Sequence, residues 1–440
     1  MSNSTRFGHQ LRFASVMAVA LMVWVRSACT AEGAARADAV LRLSLREAVE
    51  TAIRNDTSLT TAEQNVRSSA ARVTAVRSAQ RPQVSAQAAY TRGGAEGPSR
   101  GGLPGGGFED RQVMVRFREN LFDSFQTAVR VRQAETEQAG ALSGVDAVRQ
   151  RVALEAATAY FGVLRAISLA GVAQAALDRT RQEQERLESL VEVGEAAKKE
   201  IPRARAEVAA AEVDAIAAQN AVEDALSVLR NVLGLAQDTK IELTDTLASP
   251  EPLPDLAALV EEAYRRRPDL RQAELQVESA EQALKLAEIQ RGVTISADAA
   301  YDLRVHPNPL GRSWSLGLSA SYPLFDAGAS KARVEEARAA VVSAEARLEQ
   351  LRRDIALQVK QAYIQADEAR SRLQAADRGV EAARESLAAA EGSLAAQVGI
   401  FLEVVAAQVG LTQAESRRVQ ALYDYNVAKA RLQYAVGQIR

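Results

Sequence analysis

Twice in this chain a short run of alternating side chains passes, within a few residues, into a helix-forming segment of about 65 residues that contains no proline. The clearer instance is Ser313 to Arg338. Trp314, Leu316, Leu318, Ala320, Tyr322 and Leu324 share one parity; Ser313, Ser315, Gly317, Ser319 and Ser321 share the other. Side chains alternate across a strand, so this segment has one apolar wall and one small polar wall. Leu324-Phe325-Asp326 ends the alternation, and Asp326 is the expected N-cap of the helix that follows. At 1.5 Å per residue such a helix is roughly 100 Å long, far more than a compact domain needs.

The earlier instance runs from Gln112 to Phe122. Val113, Val115 and Phe117 lie on one face, with Gln112, Arg116, Arg118 and Asn120 mostly opposite, and the run ends in Leu121-Phe122-Asp123. The two Leu-Phe-Asp triplets are 203 residues apart (324 − 121), a register that also superposes the two apolar faces. The preceding segments agree as well. Leu256 to Tyr301 aligns without a gap to Leu45 to Tyr90, with identities at Val49/Val260, Glu50/Glu261, Ala52/Ala263, Leu59/Leu270 and Val66/Val277. The chain is an internal duplication. A first repeat spans 38–234, a linker 235–255 carries Pro250, Pro252 and Pro254, and a second repeat spans 256–440.

In each repeat the spacing predicts a helix (45–79 in the first), two strands, a long rod, a tight reversal and a returning helix. Val145, Val148, Val152, Ala156, Ala159 and Val163 form a coiled-coil-like seam on the first rod. Pro202 fits the first turn of its returning helix. Gly194 and Gly399 are expected to reverse the rods by taking positive φ. The Gly- and Pro-rich stretch from Gly93 to Gly107 reads as a loop between strands.

Residues 1–37 read as a signal peptide: Arg6 and Arg12, the uncharged run Phe13–Val25, then small residues, with cleavage between Ala28 and Ala37. The one cysteine, Cys29, lies inside it, and Arg26 stands where a lipoprotein box would carry Leu, so an ordinary signal is favoured. No later apolar run reaches the roughly 20 residues of a helical membrane span. A net charge of −2 argues against a nucleic-acid partner. Enzyme chemistry has little to work with. The two histidines are His9 and His306, no phosphate loop or clustered metal ligands occur, and no cofactor is expected.

Strands of about ten residues with one apolar face suit a tilted crossing of a bilayer. Four per chain cannot close a barrel, and an open edge is not tolerated in lipid. Several chains must share one barrel: two give eight strands, three give twelve. Apolar faces then meet lipid, polar faces line water, and Tyr90, Tyr301, Trp314 and Tyr322 supply an interfacial girdle. A soluble sandwich would leave the rods without purpose.

The duplicated order of elements, the junction Tyr322-Pro323-Leu324-Phe325-Asp326-Ala327-Gly328 and the tips Val193-Gly194 and Val398-Gly399 resemble the TolC-like outer membrane efflux proteins. The resemblance covers residues 45–440. It implies an α+β membrane protein: a homotrimer with a twelve-stranded β-barrel continued by a periplasmic α-helical tunnel. It further implies an outer-membrane channel of a tripartite efflux or type I secretion system, partnered by a periplasmic adaptor and an inner-membrane pump. The adaptor would dock at Val193, Gly194 and Glu195 and at Val398, Gly399 and Ile400. Members often carry acidic residues six and nine positions after the second tip glycine; this chain has Val405 and Gln408 there. Glu403 is the nearby carboxylate, and Glu200, six positions after Gly194, matches an acidic residue of the family. Two gates stay open: an apolar one from Phe401 and Val405, or an acidic one from Glu200 and Glu403. The alternatives are a coiled-coil adaptor, which normally has a single hairpin, and a structural filament, which has no use for the strands.

Overall fold

The computed structural model describes residues 40–93, 108–194, 197–247, 251–305, 311–396 and 398–439. The signal segment with His9 and Cys29, the stretch 94–107, Glu195 and His306 lie outside the described residues. The elements run β1 (Leu41–Leu43), α1 (Leu45–Asn55), α2 (Thr57–Arg77), β2 (Gln83–Gly93), β3 (Phe108–Phe122), α3 (Gln126–Glu192) and α4 (Glu200–Val232). They continue with β4 (Ile241–Leu243), α5 (Leu256–Arg266), α6 (Pro268–Ile289), β5 (Thr294–Val305), β6 (Gly311–Ser321), α7 (Ala329–Ala395) and α8 (Phe401–Val436).

The rods α3 and α7 are each 67 residues long. Each is flanked by shorter helices along its length. On the tip side the row is α4–α3–α8–α7; on the sheet side it is α2–α3–α6–α7. The sheet continues the same order as β2–β3–β5–β6, all antiparallel. The repeats are therefore joined side by side through β3–β5, α3–α6 and α3–α8. One edge of the molecule is β2, α2 and α4, and the other is β6 and α7.

Three local expectations need correction. The single helix 45–79 is two helices broken at Asp56. The Asp56 carboxylate accepts from the Leu59 amide at 2.9 Å and caps α2, which competes with continuing α1. The second copy breaks at the matching place by other means, with Pro268 in the first turn of α6 and Arg267 held by Asp269 at 2.7 Å and Gln358 at 2.8 Å. The linker also contains structure: β4 pairs in parallel with β1, Leu41 opposite Ile241. Finally, α3 is apolar and long enough to meet the criterion for a membrane-crossing helix, against the expectation of no such segment. Part of that surface is buried here: Val152, Ala156, Tyr160 and Val163 enter a core with Ala48, Val49 and Ala52 of α1 and Leu229 and Leu233 at the end of α4. Tyr160 donates its hydroxyl to Leu43 O at 3.0 Å, tying this core to β1, and burial pushes its pKa up to about 12.

Candidate functional site

The register gives the sheet two unlike faces. Across the four strands, Val84, Phe117, Ala299 and Leu316 lie level, as do Ala86, Val115, Tyr301 and Trp314. These residues belong to the apolar face, and Leu316 is 76% exposed, uncovered by any other described residue. Of the aromatic residues on this face, Tyr301 sits opposite Trp314, and Tyr90 sits opposite Arg111, whose guanidinium lies 5.6 Å from the Tyr90 ring centre. The other face is polar. Gln83, Arg118, Asp298 and Gly317 lie level; so do Ser85, Arg116, Ala300 and Ser315; so do Gln87, Met114, Asp302 and Ser313. Arg118 donates to Asp298 at 2.7 Å, and Asp302 accepts from Gln112 at 2.9 Å and Arg304 at 3.1 Å. Opposed charges on neighbouring strands stabilise this register, which a slip of one residue would turn inside out.

Strand becomes helix by the same device in both copies. Asp326 accepts from the amides of Gly328 and Ser330 at 3.1 and 2.9 Å, and from the Ser330 hydroxyl. Asp123 accepts from the Thr127 amide at 2.7 Å and from its hydroxyl. These bonds, Ser330 foremost, hold the Asp326 carboxyl below its ordinary pKa. Neither aspartate is the N-cap residue itself: that position is Gly328 in one copy and Phe125 in the other, both with positive φ. The aspartates reach past two turn residues to satisfy the free amides of the first helical turn. Leu121, Phe122, Phe125, Leu324 and Phe325 are left exposed beside the sheet, with Phe122 and Phe125 edge to face at 6.0 Å. Phe125 was not among the residues expected here; a non-glycine residue with φ of 66° leaves no trace in a pattern of polarity.

The two tips turn differently. Gly194 has φ of +83°, as expected of a reversing glycine. Gly399 does not have positive φ, which corrects that expectation. It is needed for space, since a Cβ there would stand 2.9 Å from Ser393 Cβ and 3.1 Å from Leu394 N. Its amide and that of Val398 both donate to Ser393 O at 3.0 Å, drawing the turn tight against the end of α7. Val193 and Val398 are 71% and 85% exposed.

The tips are neighbours within one chain. A groove of about 740 Å³ is lined by Glu183, Arg186, Glu200, Gly399, Ile400 and Phe401, so Glu200 of one tip and Phe401 of the other share it. Phe401, Val405 and Gln408, at i, i+4 and i+7, line a second groove between α8 and the α3–α4 hairpin. Glu403 is exposed and lines neither groove. Glu183, which borders both grooves, was missed in the sequence. Burial raises its pKa, Arg186 at 3.7 Å opposes that shift, and Glu391 of α7 adds to it. Further along the α3–α8 seam, Arg179 reaches Glu415 at 3.2 Å, and Arg165 lies 4.7 Å from the Tyr423 ring centre.

Comparison with known proteins places this architecture. Residues 48–235 and 259–438 match the family model described as outer membrane efflux protein. TolC of Vibrio cholerae is 24% identical over 379 residues, 83% of this chain and 84% of that one. TolC of Escherichia coli is 22% identical over 307 residues, 66% of this chain and 62% of that one, so the match spans under two thirds of that relative. The solved structure of CusC, a protein described in terms of transmembrane channel formation, superposes with a TM-score of 0.77 at 17% identity, covering 89% of this chain and 92% of that one. The family match covers both repeats from the first helix to the last, and the chain belongs to the outer membrane efflux protein family.

Proposed function

We propose that three copies of this chain close into one duct through the outer membrane. Cargo reaches it from an inner-membrane pump through a periplasmic adaptor, in efflux or type I secretion. The observation that carries this reading is the pair of open edges on a two-faced sheet. Strands β2 and β6 have no outer partner among the described residues, and the helical rows end at α2 and α4 on one side and α7 on the other. Backbone groups at a free sheet edge cost several kcal/mol each in lipid, so the edges must meet. Unlike edges that join head to tail generate a ring when the rotation closes. Three four-stranded sheets make twelve strands, enough to leave a lumen. The helical edges carry matching apolar exposure, with Val213 and Val228 on α4 and Val342, Leu357 and Ile364 on α7.

The tips then form the periplasmic end. Exposed Val193, Val398 and Ile400 beside Gly194 and Gly399 suit contact with an adaptor hairpin, since apolar groups on a polar surface mark protein contacts. Phe401, Val405 and Gln408 supply the closure, with Glu200 at its margin. The test is native mass spectrometry of detergent-extracted outer membranes combined with planar-bilayer recording. A trimer that conducts supports the reading, and a monomer or a non-conducting complex overturns it. Cross-linking from Val193 and Val398 should capture an adaptor.

A further inference from the structure

Among the described residues, the polar-face parity of the sheet holds three arginines (Arg116, Arg118, Arg304) and three aspartates (Asp110, Asp298, Asp302), but they are unevenly paired. Asp298 is engaged by Arg118 at 2.7 Å and by Ser296 at 3.3 Å. Asp302 is engaged by Arg304 at 3.1 Å and Gln112 at 2.9 Å. Arg116 makes no ion pair within 4 Å among the described residues, its charge reaching Asp298 only at longer range; it donates a hydrogen bond to Met114 Sδ at 3.6 Å. Its level neighbours across the sheet are Ser85, Ala300 and Ser315, all small, so at this height the guanidinium is the one long side chain. Asp110 shares its parity but lies six residues away along β3, about 20 Å. In the second repeat the position corresponding to Arg116 is Ser319 (116 + 203). The charge therefore occurs once per chain.

We infer that Arg116 forms a three-membered basic ring inside the barrel and gives the duct a preference for anions, and so for anionic or phosphate- and carboxylate-bearing cargo. The inference rests on the trimeric-duct reading, which turns one arginine into a ring. Rings of arginine or lysine favour anions in pores because their field raises the local concentration of negative ions. The preference is sensitive to salt, because the Debye length falls from about 10 Å at 0.1 M to about 3 Å at 1 M.

The test is the reversal potential of the full-length trimer in planar bilayers under a potassium chloride gradient centred near 0.1 M. Wild type should favour chloride. Arg116→Gln should lower the chloride-to-potassium permeability ratio by about twofold or more, and Arg116→Lys should retain it. Ser315→Asp places a carboxylate two strands away, about 10 Å, on the same level and should lower the ratio without touching Arg116. Arg312→Gln, on the lipid-facing parity, should leave it unchanged. A wild-type channel whose ratio is moved by neither Arg116→Gln nor Ser315→Asp overturns the inference and leaves the duct standing. A wild-type protein that does not conduct overturns the duct reading itself. If Arg116→Gln fails to assemble, Ser315→Asp decides alone.

Discussion

Replacing Leu316 by arginine tests the sheet's two faces most directly. Leu316 sits mid-strand on the apolar side, level with Ala299, Phe117 and Val84. It is 76% exposed in the single chain, so in a barrel it meets lipid rather than protein. An arginine near the bilayer midplane of such a barrel costs about 2–4 kcal/mol. That is about 30- to 700-fold in the folding equilibrium of each chain, and in the proposed trimer three symmetry-related sites would act together. Ser319→Arg, three residues on and facing the other way, gives up one hydroxyl contact to Ser296 at 2.9 Å, a loss of about 1 kcal/mol. Its new guanidinium enters water beside a face that already holds Arg116 and Arg118. The assay is a urea titration of folding into lipid vesicles, read as the gel mobility of the assembled trimer. Leu316→Arg should lower the midpoint strongly and Ser319→Arg only slightly. Equal losses from both substitutions, or a larger loss from Ser319→Arg, would refute the assignment of faces.

The tips give two further contrasts. Gly194→Ala forces an L-residue into φ of +83° and should cost about 1–2 kcal/mol with no clash, whereas Gly399→Ala must push Ser393 and Leu394 aside; limited proteolysis should cut the second variant faster at residues 393–400. If Phe401 and Val405 form the closure, Phe401→Ala and Val405→Ala should raise single-channel conductance more than Glu200→Gln or Glu403→Gln, and the reverse order would assign an acidic gate. Glu183 makes stability depend on pH. Its folded pKa lies above the ordinary 4.5, so the native state holds the proton longer than the unfolded one, and stability falls as pH rises from that value through the raised one. Glu183→Gln should flatten this slope in helical melting curves recorded across that range, and an unchanged slope would count against the buried carboxylate.

The sequence by itself determined whatever depends on neighbours along the chain. Alternation at Ser313–Ser321 and Gln112–Phe122 specifies strands with two unlike walls, because side-chain parity is local. The proline-free segments after Asp123 and Asp326 specify rods, and the recurrence of the same pattern, 211 residues on for the first helices (256 − 45) and 203 for the junctions (324 − 121), specifies two copies of one plan. The break between α1 and α2 escaped the helical periodicity: Asp56 can cap or continue a helix, and the available signal was Pro268, which aligns with Thr57, one residue later. Tertiary structure decided what depends on partners far away. Leu41 pairs with Ile241 across 200 residues, and nothing near β1 names β4. Gly399 is constrained by the proximity of Ser393 rather than by its own φ, and Glu183 resembles any solvated carboxylate until α4 and α8 close over it. Arg116 and Arg118 are equivalent in the strand pattern; they differ because β5 brings Asp298 opposite one and Ala300 opposite the other. Local propensities act over a few residues, whereas burial and charge pairing are properties of the surfaces that meet once the chain has folded.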